Sequence, residues 1–254
     1  MKKPVILALA SMVATPIAAQ DSDHDRRMER FLRPESQIGT RFKQEPETAG
    51  EAETRQMQKR LAKCVYFGNK EELNELLDNS DFEQIAFADT QFKSGEFFDD
   101  IGFGRCIGRV MKRSQYKLAV SVSYSTLRNL IAEEAYLYEN KDVPVRAPGA
   151  PLLIDQRFAT QRGGMRAQSV SELADCLTYR NARASHELLD STPATDKESE
   201  ALEALYPTLL TCLETDEAPN LSTSLVRQMV ADGMWSRSYY NGFAPAETNE
   251  AEAD

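Results

Sequence analysis

Two histidines, a serine–lysine pair and four cysteines are the residues of this chain whose types and spacing invite chemistry. The run His186-Glu187-Leu188-Leu189-Asp190 stands one substitution from the zinc-protease pattern, in which two histidines one helical turn apart hold the metal. Its fifth residue is aspartate. Earlier in the chain, Asn74-Glu75-Leu76-Leu77-Asp78 repeats Glu-Leu-Leu-Asp without the histidine, so the motif reads as helix packing with solvated charge. The other histidine, His24, lies in a polar stretch. Ser114 and Lys117 have the spacing of the penicillin-binding enzymes, but the companion Ser-Asp-Asn and Lys-Thr-Gly elements are missing from the sequence. Gly102-Phe103-Gly104 followed by Gly108 misses the dinucleotide fingerprint, which needs a glycine at 107 and a preceding strand. Gly163-Gly164 reads as a flexible turn. With 40 acidic residues in the chain, choosing one carboxylate pair for acid–base work would be arbitrary. The sequence therefore assigns no catalytic, metal-binding or cofactor-binding residue.

The cysteines say more. Cys64, Cys106, Cys176 and Cys212 form no Cys-x-x-Cys pair, and an even number in an exported chain reads as disulfides. Three connectivities are open, and an internal repeat chooses among them. Leu61-Ala62-Lys63-Cys64 overlies Leu173-Ala174-Asp175-Cys176 at an offset of 112 residues. The same offset puts Asn69 on Asn181 and Glu75-Leu76-Leu77-Asp78 on Glu187-Leu188-Leu189-Asp190. Cys106 and Cys212 follow at an offset of 106, so the first copy holds six extra residues between about Asp81 and Gly104. At an offset of 99, Ser123, Ser125, Arg128 and Ala132 meet Ser222, Ser224, Arg227 and Ala231, and Tyr136 meets Trp235. Arg41-Phe42 and Arg157-Phe158 precede the two copies. The order of these matches predicts a duplication, and units that folded before duplication should close their own bridges, Cys64–Cys106 and Cys176–Cys212. Each bridge is worth roughly 4 kcal/mol by the chain-entropy estimate. Bridges between copies and four buried free thiols are the alternatives.

Both copies read as helices, so the expected fold class is all-α: two copies of a small multi-helix unit. Met57, Leu61, Cys64 and Val65 recur at helical spacing, as do Leu73, Leu76 and Leu77, and later Leu202, Leu205, Leu209 and Leu213. Pro207 should kink or restart its helix, because proline lacks the amide donor. The last helix of each copy should begin at a serine cap, near Ser123 or Ser125 and near Ser222 or Ser224. Their apolar faces are Leu127, Leu130 and Ile131, and Val226, Met229 and Val230. Lys117 to Val122 alternates in character and leads into the capped helix. Phe82, Phe87, Phe92, Phe97, Phe98 and Phe103 crowd the extra residues of the first copy, either as core or as a partner-facing groove. Trp235 to Phe243 should pack the last helix onto the body.

The ends set the compartment. Met1-Lys2-Lys3, the apolar run Pro4 to Val13 and the small residues Ala14 to Gln20 have the layout of a secretory signal peptide, with cleavage expected after Ala19. The apolar run is shorter than the roughly 20 residues a membrane-spanning helix needs. The expected organisation is a signal peptide (1–19), a polar segment (20–53), helical repeat 1 (54–140), a Pro/Gly-rich semi-rigid linker (141–166), helical repeat 2 (167–243) and an acidic tail (244–254). The net charge of −10 becomes −12 once Lys2 and Lys3 are removed, which opposes nucleic acid and anionic lipid as partners.

The pattern Leu-Ala-x-Cys, Leu-Leu-Asp, a second cysteine and a capped helix carrying arginine resembles a group of uncharacterised exported alphaproteobacterial helical proteins. The resemblance covers Leu61 to Tyr138 and Leu173 to Tyr239 and implies no activity, cofactor or catalytic residue. The expected function is an exported interaction module of the cell envelope, periplasmic or secreted, binding a protein or envelope component. The alternative is a cell-envelope hydrolase that uses acidic residues or Ser114 with Lys117.

Overall fold

The computed structural model describes residues 49–111, 122–159, 163–217 and 219–244, all within one compact unit spanning Pro46–Asp254. The signal-peptide reading, Ser114, Lys117, His24, Arg41-Phe42 and the acidic tail from Pro245 lie outside the described residues. Ten α-helices and no strand occur among those residues, in keeping with the all-α expectation.

The first half supplies α1 (Glu51–Gly68), α2 (Lys70–Asp78), α3 (Phe97–Asp100), α4 (Phe103–Met111) and α5 (Tyr124–Glu139). The second supplies α6 (Asp155–Ala159), α7 (Gly164–Arg180), α8 (Ala182–Asp190), α9 (Asp196–Leu213) and α10 (Thr223–Tyr239). The expected apolar stripes face inward: Met57, Leu61 and Val65 on α1, Leu73, Leu76 and Leu77 on α2, and Leu205 and Leu209 on α9 are buried. Glutamates in the first turn of α1 complement the helix dipole. Ser123 and Ser222 cap α5 and α10, each accepting from the amide three residues on, Thr126 and Leu225. Cys64–Cys106 ties α1 to α4, and Cys176–Cys212 ties α7 to α9.

Three expectations are narrowed or corrected. Of the kink or restart expected at Pro207, the restart does not occur, since helix α9 continues through it. Pro207 and Glu203 are both exposed, so the Glu203 carbonyl that loses its partner lies on the side where water replaces it. The six phenylalanines follow the core reading and not the partner-facing groove. Phe82, Phe92, Phe97 and Phe103 are buried, Phe87 and Phe98 are half-buried, and the rings meet edge to face at 4.9–5.4 Å in pairs such as Phe98–Phe103 and Phe92–Phe97.

The third correction is the largest: the halves are not independent bodies. Helix α10 packs chiefly on α5 and α7, and one continuous core runs from Leu61 of α1 to Trp235 of α10. The proline-rich stretch after α5 is no spacer either. Arg237 donates to the carbonyls of Pro151 (3.1 Å) and Leu152, and Asp175 accepts from the Ile154 amide (2.8 Å). Ala147 and Ala244 donate across to Gly242 and Val145, which straps the stretch to the end of α10. Its prolines lack donors, but its carbonyls remain acceptors, and a buried arginine uses them. Arg157 of α6 is only 1 % exposed and pairs with Asp232 of α10 at 2.9 Å.

Candidate functional site

The α5–α10 interface carries charge where an all-apolar seam would suffice. Arg227 of α10 holds Glu133 of α5 through two hydrogen bonds of 2.8 and 2.9 Å and Glu198 of α9 through one of 2.9 Å. Lys59 also donates to Glu133, and Arg55 reaches Glu198 at 2.6 Å. Arg128 of α5 in turn pairs with Asp232 of α10. The exchange is reciprocal, since Arg128 and Arg227, and also Glu133 and Asp232, are separated by the same 99 residues. The backbone contacts repeat too: Arg128 donates to the Leu77 carbonyl and the Ser80 hydroxyl, Arg227 to the Leu189 carbonyl and the Ser191 hydroxyl.

These arginines hold Glu133 and Asp232 below the ordinary carboxylate range against the opposing effect of burial. Glu134 is different. Burial pushes its carboxyl up to about 7, its Oε1 makes no hydrogen bond, and Lys59 stands off at 3.8 Å. Burial likewise raises Asp175 to about 6. Such shifts occur at functional sites and in structural ion-pair networks alike. Here the groups are sealed between helices and their partners are structural, so the layer positions elements and offers no ligand access.

His186 is buried, and its Nδ1 meets the Tyr136 hydroxyl at 2.7 Å, while burial lowers its pKa. Glu187 and Asp190 point to solvent, and no metal-capable cluster occurs among the described residues. The histidine therefore closes a core hydrogen bond with Tyr136.

Among the described residues, one of the surfaces that could receive a ligand is a cleft of about 550 Å³ beside the first disulfide. Arg60, Lys63, Phe67 and Gly68 of α1 form one wall, Arg109 and Val110 of α4 the other, and Cys64 lies in the floor. Positions 60, 63, 64 and 67 fall on one face of α1 because helical neighbours recur every three or four residues. The bridge fixes the two walls, with Cα atoms of Cys64 and Cys106 5.7 Å apart, and Arg109 Nη1 lies 3.9 Å from Cys64 Sγ. Phe67 is 48 % exposed and meets Tyr138, 38 % exposed, edge to face at 5.4 Å. Lys70 caps both rings, 5.2 Å from the Phe67 centroid and 3.8 Å from that of Tyr138. Its ammonium holds the Tyr138 phenol below the ordinary value.

Among the described residues no carboxylate pairs with Arg60, Lys63 or Arg109, whereas the inward-facing Arg55 and Lys59 of the same helix are both paired. The signal for this site was present in the sequence as a charge pattern. Residues 101–132 hold six cations and no acid, of which Arg109 lines the cleft while Arg128 is buried against Asp232 and Lys112, Arg113 and Lys117 lie outside the described residues; residues 54–70 hold five cations and no acid, of which Arg60 and Lys63 line it. The matching stretch of the second half, 207–231, holds one cation and three acids. Reading motifs passes over such a pattern, because it resides in what is missing between the cations.

No protein family, curated protein or solved structure matches this chain. Function must therefore be argued from the site itself.

Proposed function

We propose that this protein is an exported helical binding module of the cell envelope, built from a duplicated two-cysteine unit, whose working face is the cleft between α1 and α4. The observation that carries the reading is the set of cations around an exposed aromatic ring, none of them in an ion pair with a carboxylate among the described residues, on a protein of net charge −10. An isolated basic cleft on an acidic molecule is a local potential that attracts an anionic partner to one place. Clefts of a few hundred to about 1,000 Å³ are the usual size for recognition sites.

Export is supported by the sequence layout of residues 1–19 and by two closed disulfides, which persist in oxidising compartments. Among the described residues, no helix is long and apolar enough to cross a membrane. Duplication is supported by the reciprocal Arg128–Asp232 and Arg227–Glu133 pairs. The resemblance to exported alphaproteobacterial proteins belongs to the same proposal.

The reading predicts that envelope extract slows hydrogen exchange in α1 and α4 peptides covering residues 60–68 and 105–111, and leaves α9 unchanged. Unaltered exchange on α1 and α4 would reject the cleft as the working face.

A further inference from the structure

We infer that the cleft takes a short acidic peptide segment of a partner protein, with carboxylates on Arg60, Lys63 and Arg109 and an apolar side chain against Phe67 and Val110. This rests on the cleft being the binding face. The lining specifies the ligand. Arg60 and Arg109 present planar guanidinium forks that match carboxylate geometry, and Lys63 adds a point charge 6.0 Å from the Phe67 centroid. Between the cations lies apolar surface, the Phe67 ring and Val110, which a purely ionic ligand would leave uncovered. The ligand must therefore combine negative charge with a hydrocarbon or aromatic group a few ångströms away. Adjacent side chains of a peptide supply that combination.

The size of the charged region decides between a peptide and an extended polyanion. At physiological ionic strength charges are screened beyond about 8 Å. A short segment seated between α1 and α4 thus meets mainly the local cations. A nucleic acid or an anionic bilayer extends far past that distance and meets the rest of a molecule whose net charge is −10. Phe67 is packed edge to face on Tyr138 and lies beneath Lys70, so its ring is held against the protein and not presented as a free wedge to a bilayer. The disulfide holds the walls in place before binding, which lowers the ordering cost of a flexible ligand.

The test uses the full mature chain and a fluorescein-labelled hexapeptide alternating glutamate and leucine, followed by fluorescence anisotropy. The inference predicts saturable binding that weakens with salt and falls about tenfold or more in Arg109→Glu and in Lys63→Glu. Replacing glutamate by glutamine in the peptide should cost as much. Both protein positions are exposed, so thermal melts of the variants should match the parent and exclude misfolding. Phosphatidylglycerol vesicles, inorganic phosphate and sedimentation of the protein alone run in parallel. Binding of vesicles or phosphate in preference to the peptide, or self-association that Arg109→Glu abolishes, would overturn the peptide assignment while leaving the cleft as the binding face. If Arg109→Glu and Lys63→Glu change none of these signals, both the peptide assignment and the cleft reading fall.

Discussion

Glu134 and Glu133 are neighbours on α5 with opposite fates, and the difference is a matter of partners. Glu133 receives Arg227 and Lys59, which outweigh its burial, whereas Glu134 faces Lys59 at 3.8 Å with one oxygen unbonded. Because the folded state raises the Glu134 carboxyl from 4.5 to about 7, folding favours its protonated form. Stability from this group is complete at low pH and is lost as pH rises from about 4.5 to about 7, an effect on the order of 3 kcal/mol. Asp175 acts in the same direction as pH rises from 3.8 to about 6. Glu133 and Asp232, held low, act in the opposite direction and lose their contribution on acidification. Thermal melts should therefore be highest at mildly acidic pH, and Glu134→Gln should raise Tm at pH 8 and flatten the decline between pH 5 and 7. A melt profile that rises steadily from pH 5 to 8 would contradict this. Arg227→Ala removes the most buried cation from Glu133 and Glu198, leaving them Lys59 and Arg55 alone, and should cost about 3 kcal/mol in denaturant unfolding.

Among the elements, what could be read from the sequence was local. The stripes of α1, α2 and α9, the serine caps of α5 and α10 and the two intra-half disulfides all follow from residue type and short spacing, or from the repeat. What escaped depends on partners about 100 residues away. Arg128 and Arg227 match in sequence, but nothing in their neighbourhood says that each crosses to the other half for its acid. The Pro/Gly composition of 141–166 hid a segment clamped by Arg237, because the clamp uses carbonyls that every residue carries. Gly233 is a further case. A Cβ there would stand 2.7 Å from the Ala174 carbonyl oxygen of α7, so α10 approaches α7 at a distance only glycine permits. Gly233→Ala should lower stability by about 1–3 kcal/mol, read as a fall in Tm. Since the core is shared, residues 167–243 expressed alone should unfold without a cooperative transition, as followed by circular dichroism. A sharp two-state melt of that fragment would restore the picture of two self-sufficient halves.

For the molecule as a whole, the two halves differ most in charge. The first half has a basic cleft at its disulfide with no acid in its lining, whereas the stretch just after Cys212 in the second carries Glu214, Asp216 and Glu217. The difference lies outside the shared core and gives one half a basic surface. Candidate chemistry was legible mainly by elimination, since His186 is a core residue and the cleft appears only when α1 and α4 are brought together by Cys64–Cys106. Reducing both bridges should lower stability substantially, by roughly 4 kcal/mol for each loop. The most direct test of the binding-module account is a photo-crosslinking amino acid placed at Phe67 in the full chain, compared with the same group at exposed Tyr206 of α9. The account predicts a discrete adduct in intact cells from position 67, lost in Arg109→Glu and not formed from position 206. Equal labelling from both positions, or an adduct indifferent to Arg109→Glu, would contradict it.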